Sequence, residues 1–364
     1  MDDLVKIIPA VRMIASEGDQ SCLLKYSKDQ TAGSPEVMHD DSTDGIISSC
    51  KSVLDKYRRE NAELPGFLYV KGIGSLEIKS VPNDSSTTDT PGIRNKIAIV
   101  TGGAQGFGGG ISEKLFNSGV NVVVADISEQ MGREKADSLN ALGQSNEALF
   151  VNTDVSDPGS VHDMVLQTVK HFGGIDILVS NAGILHAGSL DEMEPEVFDR
   201  MTRVNYNAFY YCVKYTAEVL KIQHEHNPDY FTDIIQINSK SGLTGSRKNF
   251  AYAGAKFGGI GLTQSFALEL APYRIKVNSI CPGNFYEGPL WSDHHHGLFV
   301  QYLRAGKVPG AKTIDDVRQY YEEQVPMGRG CKVSDIMKAI LYVIDQEYET
   351  GQAIPVTGGQ VMLG

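Results

Sequence analysis

The chain has 364 residues, 41% hydrophobic and 21% charged, which is enough apolar material for a substantial core and, by length, about two domains. Lys plus Arg number 33 against 45 Asp plus Glu, and the resulting net charge of −12 argues against a uniform nucleic-acid binder. No apolar run approaches the ~18 residues of a transmembrane helix, and the start MDDLVKIIPAVRM lacks the basic segment of a signal peptide.

Residues 1–91 read as an accessory region. Residues 27–45 are polar and rich in helix and strand breakers, whereas 46–62 place Ile46, Ile47, Cys50, Val53, Leu54 and Tyr57 at helical spacing. PGFLYVKGIG (65–74) reads as a strand followed by a glycine turn, and VPNDSSTTDTPG (81–92) as a linker. Residues 92–364 read as a single domain. Short Val/Ile-rich runs recur at 96–100, 121–126, 148–155, 175–183, 233–238, 274–280 and 352–359, with helical periods between them. One helix spans 157–171, with Asp157 as N-cap and Pro158 in its first turn. Strands that are continuously apolar have both sheet faces covered. The expected fold is therefore α/β, a doubly wound parallel sheet of the Rossmann type with about seven strands, plus the N-terminal extension.

The first of these strands runs into Thr101-Gly102-Gly103-Ala104-Gln105-Gly106-Phe107-Gly108 and then a helix. Glycines there let the backbone turn sharply and approach a pyrophosphate at a helix N-terminus, although such a loop by itself is also a common structural turn. The second strand ends in Asp126, 18 residues past Gly108. A carboxylate at that point hydrogen-bonds ribose hydroxyls and repels a 2′-phosphate, and no Arg or Lys directly follows it, so the reading favours NAD over NADP. Asp126 also fits a helix N-cap. Asp154 and Val155 end the third strand and are candidates for the adenine edge; Asn181-Ala182-Gly183 end the fourth and allow close backbone approach.

Tyr252 and Lys256 stand four apart in YAGAKFGGIGLTQSFALEL, on one face of a helix. Ser239 lies 13 residues before Tyr252, just past the DIIQIN strand, at the strand end where open α/β sheets bind ligands. A free phenol has a pKa of about 10. A neighbouring ammonium, together with an oxidised nicotinamide ring, is expected to lower it, so that Tyr252 takes a proton as a hydride leaves carbon, Ser239 holds the substrate oxygen, and Lys256 also binds nicotinamide ribose. Asn205, in TRVNYNAFYYCVKY, is placed to carry a water toward Lys256. A Tyr and Lys at this spacing also occur on solvated helix faces, and a lone Asn is often a local hydrogen-bonder. Their joint occurrence, in order and after a dinucleotide loop, singles them out.

These motifs, with Pro282-Gly283 and the terminal TGQAIPVTGG, make residues 95–362 resemble the short-chain dehydrogenase/reductase family. The resemblance implies Asn205, Ser239, Tyr252 and Lys256 as a catalytic tetrad. It implies dinucleotide contacts from Gly102, Gln105, Gly106, Phe107, Gly108, Asp126, Asp154, Val155, Asn181, Ala182, Gly183, Tyr252, Lys256, Pro282 and Gly283, and a homo-oligomer, dimer or tetramer. Ser180 and Asn284-Phe285 depart from the family pattern. IIQINSKSG (234–242), AKFGGIGLTQSFALELA (255–271), YYEEQVPMGRGC (320–331) and TGQAIPVTGGQVM (350–362) are similar to the sorbitol-6-phosphate dehydrogenase branch of that family. That implies interconversion of D-sorbitol 6-phosphate and D-fructose 6-phosphate with NAD. Another secondary alcohol, an unphosphorylated polyol, and a non-catalytic NAD-binding regulator remain as alternatives.

A phosphate-bearing substrate needs cationic donors. Lys240, Arg247 and Lys248 lie near Ser239, and Arg329 lies in the segment 284–330, which also holds Trp291, His294, His295, His296, Arg304 and Lys307. Three successive histidines cannot all face one ion without a distorted backbone, so no metal is expected. The five cysteines, Cys22, Cys50, Cys212, Cys281 and Cys331, are scattered without a C-x-x-C and are expected to be reduced thiols in a cytoplasmic protein with no membrane partner. Cys281 reads as a buried small residue rather than a nucleophile. In the extension, DKYRRENAELPGFLYVKGIGSLEI resembles the joint between an aldolase-like lobe and a dehydrogenase in sugar-phosphate fusion proteins. His39 is the only histidine in 1–91, so a zinc aldolase site is not expected there.

Overall fold

The computed structural model describes residues 3–16, 20–39, 42–82, 92–295, 297–304 and 306–362. The 81–92 linker, beyond Pro82 and before Gly92, and His296 lie outside the described residues. The extension folds as α1 (Asp3–Ala15), β1 (Gln20–Ser27), β2 (Glu36–Val37), α2 (Thr43–Asn61), β3 (Phe67–Val70) and β4 (Gly74–Pro82). Helix α2 starts three residues before the expected 46, because the Ser42 hydroxyl caps it by accepting from the Gly45 N–H. The strand expected at 65–74 pairs antiparallel, across the Gly72–Gly74 turn, with β4, giving the order β1-β4-β3-β2.

The larger sheet contains β5 (Ile97–Thr101), β6 (Asn121–Asp126), β7 (Ala148–Asn152), β8 (Ile177–Ser180), β9 (Thr232–Ile237), β10 (Ile275–Pro282) and β11 (Ala353–Val356). All its pairings are parallel, in the order β11-β10-β9-β8-β5-β6-β7. The order reverses between β5 and β8, and that switch opens a crevice at the carboxyl ends of the strands. The helices are α3 (Gly106–Asn117), α4 (Glu129–Asn140), α5 (Pro158–Phe172), α6 (Pro195–Thr202), α7 (Ala208–His226), α8 (Phe250–Leu270), α9 (Pro289–Ser292), α10 (Leu298–Arg304), α11 (Ile314–Glu323) and α12 (Val333–Asp345). Asp157 caps α5 as expected, accepting from the N–H groups of Gly159 and Ser160.

Helices α3, α4 and α12 supply the apolar core on one sheet face. On the other, α5, α7 and α8 share a continuous core with Val5, Ile7, Ile8, Val11, Cys22, Leu24 and Leu54 of the extension. The extension is thus a further layer laid over α5 and α7. Each fully buried Val, Leu or Ile there contributes roughly 1.5–3 kcal/mol. A buried ion pair joins the layers. Arg12, 2% exposed, donates to both carboxylate oxygens of Asp176 at 2.9 and 2.8 Å, and to the Cys22 carbonyl at 3.0 Å. Asp176 also accepts from the Ile97 N–H at the start of the central strand. A third cluster, with Tyr286, Trp291, Phe299 and Val317, forms the core of a lobe over the crevice.

Candidate active site

The end of β5 and the start of α3 build the floor of the crevice. Thr101 Oγ1 accepts from the N–H groups of Asn181 (2.9 Å) and Ala182 (3.1 Å), and the Asn181 amide donates back to the carbonyls of Thr101 and Gly102. The glycine loop and the end of β8 are thereby fixed to each other. Gly102 has φ +62, and a Cβ at Gly108 would stand 1.9 Å from the Gly102 carbonyl oxygen, so neither position admits a side chain without displacing the loop. Replacing Gly108 with Ala should weaken dinucleotide affinity at least tenfold in a fluorescence titration; unchanged affinity would remove this loop from the cofactor site. Gln105, extended at φ −144, is the N-cap of α3 and is exposed.

Asp126, 7% exposed, accepts from the Ala104 N–H (3.0 Å) through one carboxylate oxygen and from the Ser128 N–H (3.0 Å) through the other. Its carboxylate therefore stands beside the glycine loop at the end of β6. The Asp154 carboxylate accepts from the amide and hydroxyl of Ser156, while Val155 is buried in the core. Pro282 ends β10, and the Gly283 N–H donates to Val356. A small cradle held by backbone hydrogen bonds, with a carboxylate at its far end, fits a dinucleotide.

At the other end of the crevice, Ser239 follows β9, and Tyr252 lies in the first turn of α8. Ser239 Oγ accepts from the Ser241 N–H (3.1 Å), leaving its own proton to donate. Tyr252 is half-buried, and the neighbouring Ser239 side chain draws its phenol down while burial pushes it up. Lys256 is 4% exposed; its ammonium lies 5.5 Å from the centroid of the Tyr252 ring and donates to the Ile237 carbonyl at 3.0 Å. Asn238, not singled out from sequence, donates to the Lys256 carbonyl and so ties α8 to β9. Its signal was a polar residue closing an apolar strand.

Without the nicotinamide ring, the Lys256 ammonium by itself does not depress the Tyr252 phenol. Burial pushes it up to about 12, and the Ser239 contact offsets only part of that. Burial also pulls Lys256 down to about 8. Desolvation disfavours both charged forms and is the largest influence on each in the free protein. Asn205, in the π-helical turn Arg203–Asn207, accepts from the Ile184 N–H and donates to the Ile184 and Met201 carbonyls. It borders Lys256 across Gly183, where a Cβ would be 2.8 Å from Asn205 Oδ1 and 4.0 Å from Lys256 Nζ. Burial raises the Cys281 thiol to about 12, as befits a buried small residue.

The candidate cations divide. Lys240 is largely shielded from solvent, which pulls its ammonium down. Burial, then the charge of Lys248 on the Ser239 loop, lowers Lys307 in the lobe. Lys248 lies 3.8 Å from Glu192, with both side chains exposed, and Lys307 sits 3.7 Å from the Tyr302 ring centroid. Arg247 is exposed. The Arg329 guanidinium instead grips Asp335 at 2.7 and 3.0 Å, beside a cavity of about 470 Å³ lined by Lys338, Thr357 and Gln360 that includes none of the tetrad. Among the described residues no three His, Cys, Asp or Glu side chains converge on a metal position, and no helix is long and apolar enough to cross a membrane.

The short chain dehydrogenase family model matches residues 96–294. This chain belongs to the short-chain dehydrogenase family, a group of nicotinamide-dependent oxidoreductases, and is an oxidoreductase. Sorbitol-6-phosphate 2-dehydrogenase of Escherichia coli strain K12 is 37% identical over 273 residues, covering 74% of this chain and 99% of that protein. The crystal structure of sorbitol-6-phosphate 2-dehydrogenase from Erwinia amylovora superimposes with a TM-score of 0.67 at 35% identity, covering 73% of this chain and 100% of that one. Trans-4-hydroxycyclohexanecarboxylate dehydrogenase of Sinomonas cyclohexanicum is 30% identical, covering 74% of this chain and 93% of that protein. The branch resemblance of the four segments is borne out, and a quarter of the chain lies outside these matches.

Proposed function

We propose that the chain interconverts D-sorbitol 6-phosphate and D-fructose 6-phosphate with NAD. The observation that carries the reading is the gathering of Ser239, Tyr252 and Lys256 at the carboxyl end of β9, in a chain whose relatives include two enzymes named for that substrate. A nicotinamide dinucleotide held in the crevice supplies the hydride acceptor. Tyr252 removes the proton of the substrate hydroxyl in oxidation and returns it in reduction. Ser239 donates to the substrate oxygen. Lys256, anchored on Ile237, favours the tyrosinate through its charge and reaches the nicotinamide ribose. Asn205, held on Ile184, keeps the floor beside Lys256 in place and is positioned to carry a water toward it.

The Asp126 carboxylate beside the glycine loop supports NAD over NADP, since it would repel a 2′-phosphate. Asp154, Val155, Asn181 to Gly183, Pro282 and Gly283 complete the dinucleotide contacts in this reading. Lys240 and Lys248, with Lys307 opposite, form the substrate-phosphate end, with Arg247 at its edge and Arg329 outside it. Exposed Phe257 and Leu268 on α8 support self-association into a dimer or tetramer, and the unpaired thiols support a cytoplasmic location. The extension acts as an accessory layer rather than an aldolase.

The test is NADH formation with sorbitol 6-phosphate and with sorbitol. Preference for the unphosphorylated polyol, or for a hydroxy acid of the kind named for the Sinomonas relative, would replace the substrate part of this reading. Lys248→Ala or Lys307→Ala should raise KM for sorbitol 6-phosphate about tenfold and leave KM for sorbitol unchanged, since a hydrogen bond to a charged group contributes about 1.5–3 kcal/mol. Equal effects on both substrates would remove these lysines from phosphate recognition.

A further inference from the structure

We propose that Phe107 and Phe285 form an aromatic clasp that holds the bound dinucleotide in the crevice and ties the substrate lobe to the cofactor loop. The inference rests on the dinucleotide reading above and concerns how long the cofactor stays. Phe107 is the second residue of α3, at the helix N-terminus where the glycine loop is laid out for a pyrophosphate. Phe285 comes from the far wall, three residues after β10 ends at Pro282. Their rings stack with centroids 4.3 Å apart and planes 13° apart, and both residues are half-buried. The pair therefore bridges the two walls at the cofactor end of the crevice.

The wall around Phe285 is shaped to place that ring. Gly288 closes a turn by donating its N–H to the Phe285 carbonyl at 3.0 Å. A Cβ at Gly288 would stand 2.5 Å from Phe285 Cδ1, so the absence of a side chain there lets the ring lie flat against the turn. The next residue, Pro289, has its Cδ 3.9 Å from where a Cβ of Gly106 would stand, a second contact between lobe and glycine loop. Beyond it the lobe closes on its own core, with Trp291 at 5.0 Å from both Tyr286 and Phe299 by ring centroid. Through this short segment the stack connects that core to α3. A dinucleotide seated on the loop cannot leave past the pair unless the rings part. Phe107 and Phe285 are positioning residues in this scheme, with no part in proton transfer.

The experiment measures NADH itself. Equilibrium titration and stopped-flow displacement of NADH are made on the full chain, on Phe285→Leu, Phe107→Leu, the double variant, Gly288→Ala and the conservative Phe285→Tyr. Leucine keeps apolar bulk and removes the stacked ring, and thermal unfolding checks each fold. The single leucine variants should release NADH about tenfold faster with a matching rise in Kd. The double variant should be no worse than either single one, Gly288→Ala should imitate Phe285→Leu, and Phe285→Tyr should retain the parent's rate. Release at the parent's rate from a folded Phe285→Leu protein would overturn the clasp, as would additive effects in the double variant. If the parent chain binds no NADH at all, the dinucleotide reading fails instead, and the two failures are thus told apart.

Discussion

Tyr252→Phe should lower turnover by about 10²- to 10⁴-fold, the range that a positioned general acid–base supplies, while leaving NADH affinity within a few-fold of the parent. Phenylalanine keeps the ring beneath the Lys256 ammonium, 5.5 Å from the centroid, and deletes only the group that handles the proton. The pH profile adds a second signature. The phenol is pushed up to about 12 in the free protein, so at neutral pH its tyrosinate fraction is small and grows about tenfold per pH unit. In the oxidation direction kcat/KM should accordingly rise with pH. The rise should flatten above about 8, where Lys256 loses the proton whose charge favours tyrosinate. The reduction direction uses the neutral phenol and should hold its rate at neutral pH. Turnover retained within tenfold in Tyr252→Phe would transfer the proton to another group.

The second large effect lies about as far from chemistry as the chain allows. Arg12→Met should destabilise the folded protein by about 3–5 kcal/mol, because it leaves the Asp176 carboxylate buried without its partner. Burial by itself would raise the Asp176 carboxyl, but Arg12, with help from Lys96 and the Ile97 N–H, holds it below the usual range. A carboxylate depressed in the folded state stabilises above its unfolded pKa of about 3.9, and the contribution fades as pH falls through the lower folded value. The parent should therefore lose this stabilisation only in acid. Urea midpoints at pH 7 and pH 3 for both proteins measure it: the gap between them should be wider at pH 7 than at pH 3. A gap below about 1 kcal/mol at pH 7 would place the pair among the weakly contributing contacts.

The central sheet was legible, and Ser239, Tyr252 and Lys256 were singled out, because each carries a local signal. NVVVAD is an uninterrupted apolar run closed by a charge, and it forms β6 over the same six residues. Tyr252 and Lys256 share a helix face by spacing alone. The extension was harder. Helix α1 contains Pro9, a helix breaker by sequence, and is buried from Ile7 to Ala15; it is held as a helix between α2 and α7. Strand β4 begins where a glycine turn was expected and runs to the start of the expected linker, and its pairing with β1 joins residues 48 to 62 positions apart. Arg12 and Asp176 gave no sign of each other, since a contact of that separation leaves no periodicity. Phe285 did carry a signal, as a departure from the family pattern, and its meaning rested on Phe107 lying opposite. The upward push on Tyr252 in the free protein was not legible, because helix spacing reports a neighbouring charge and says nothing of how much water the fold removes.

Arg12 and Asp176 are 164 residues apart. At a synthesis rate of roughly 5–20 residues per second, the segment carrying α1 waits on the order of ten to thirty seconds before the strand that receives it has been made. During that interval a largely apolar helix has no docking partner beyond α2 and its own small sheet. Such a chain is exposed to off-pathway association while it is being translated, and its refolding from denaturant should be slow for its size, limited by the return of the first helix to α5, α7 and the foot of the central strands.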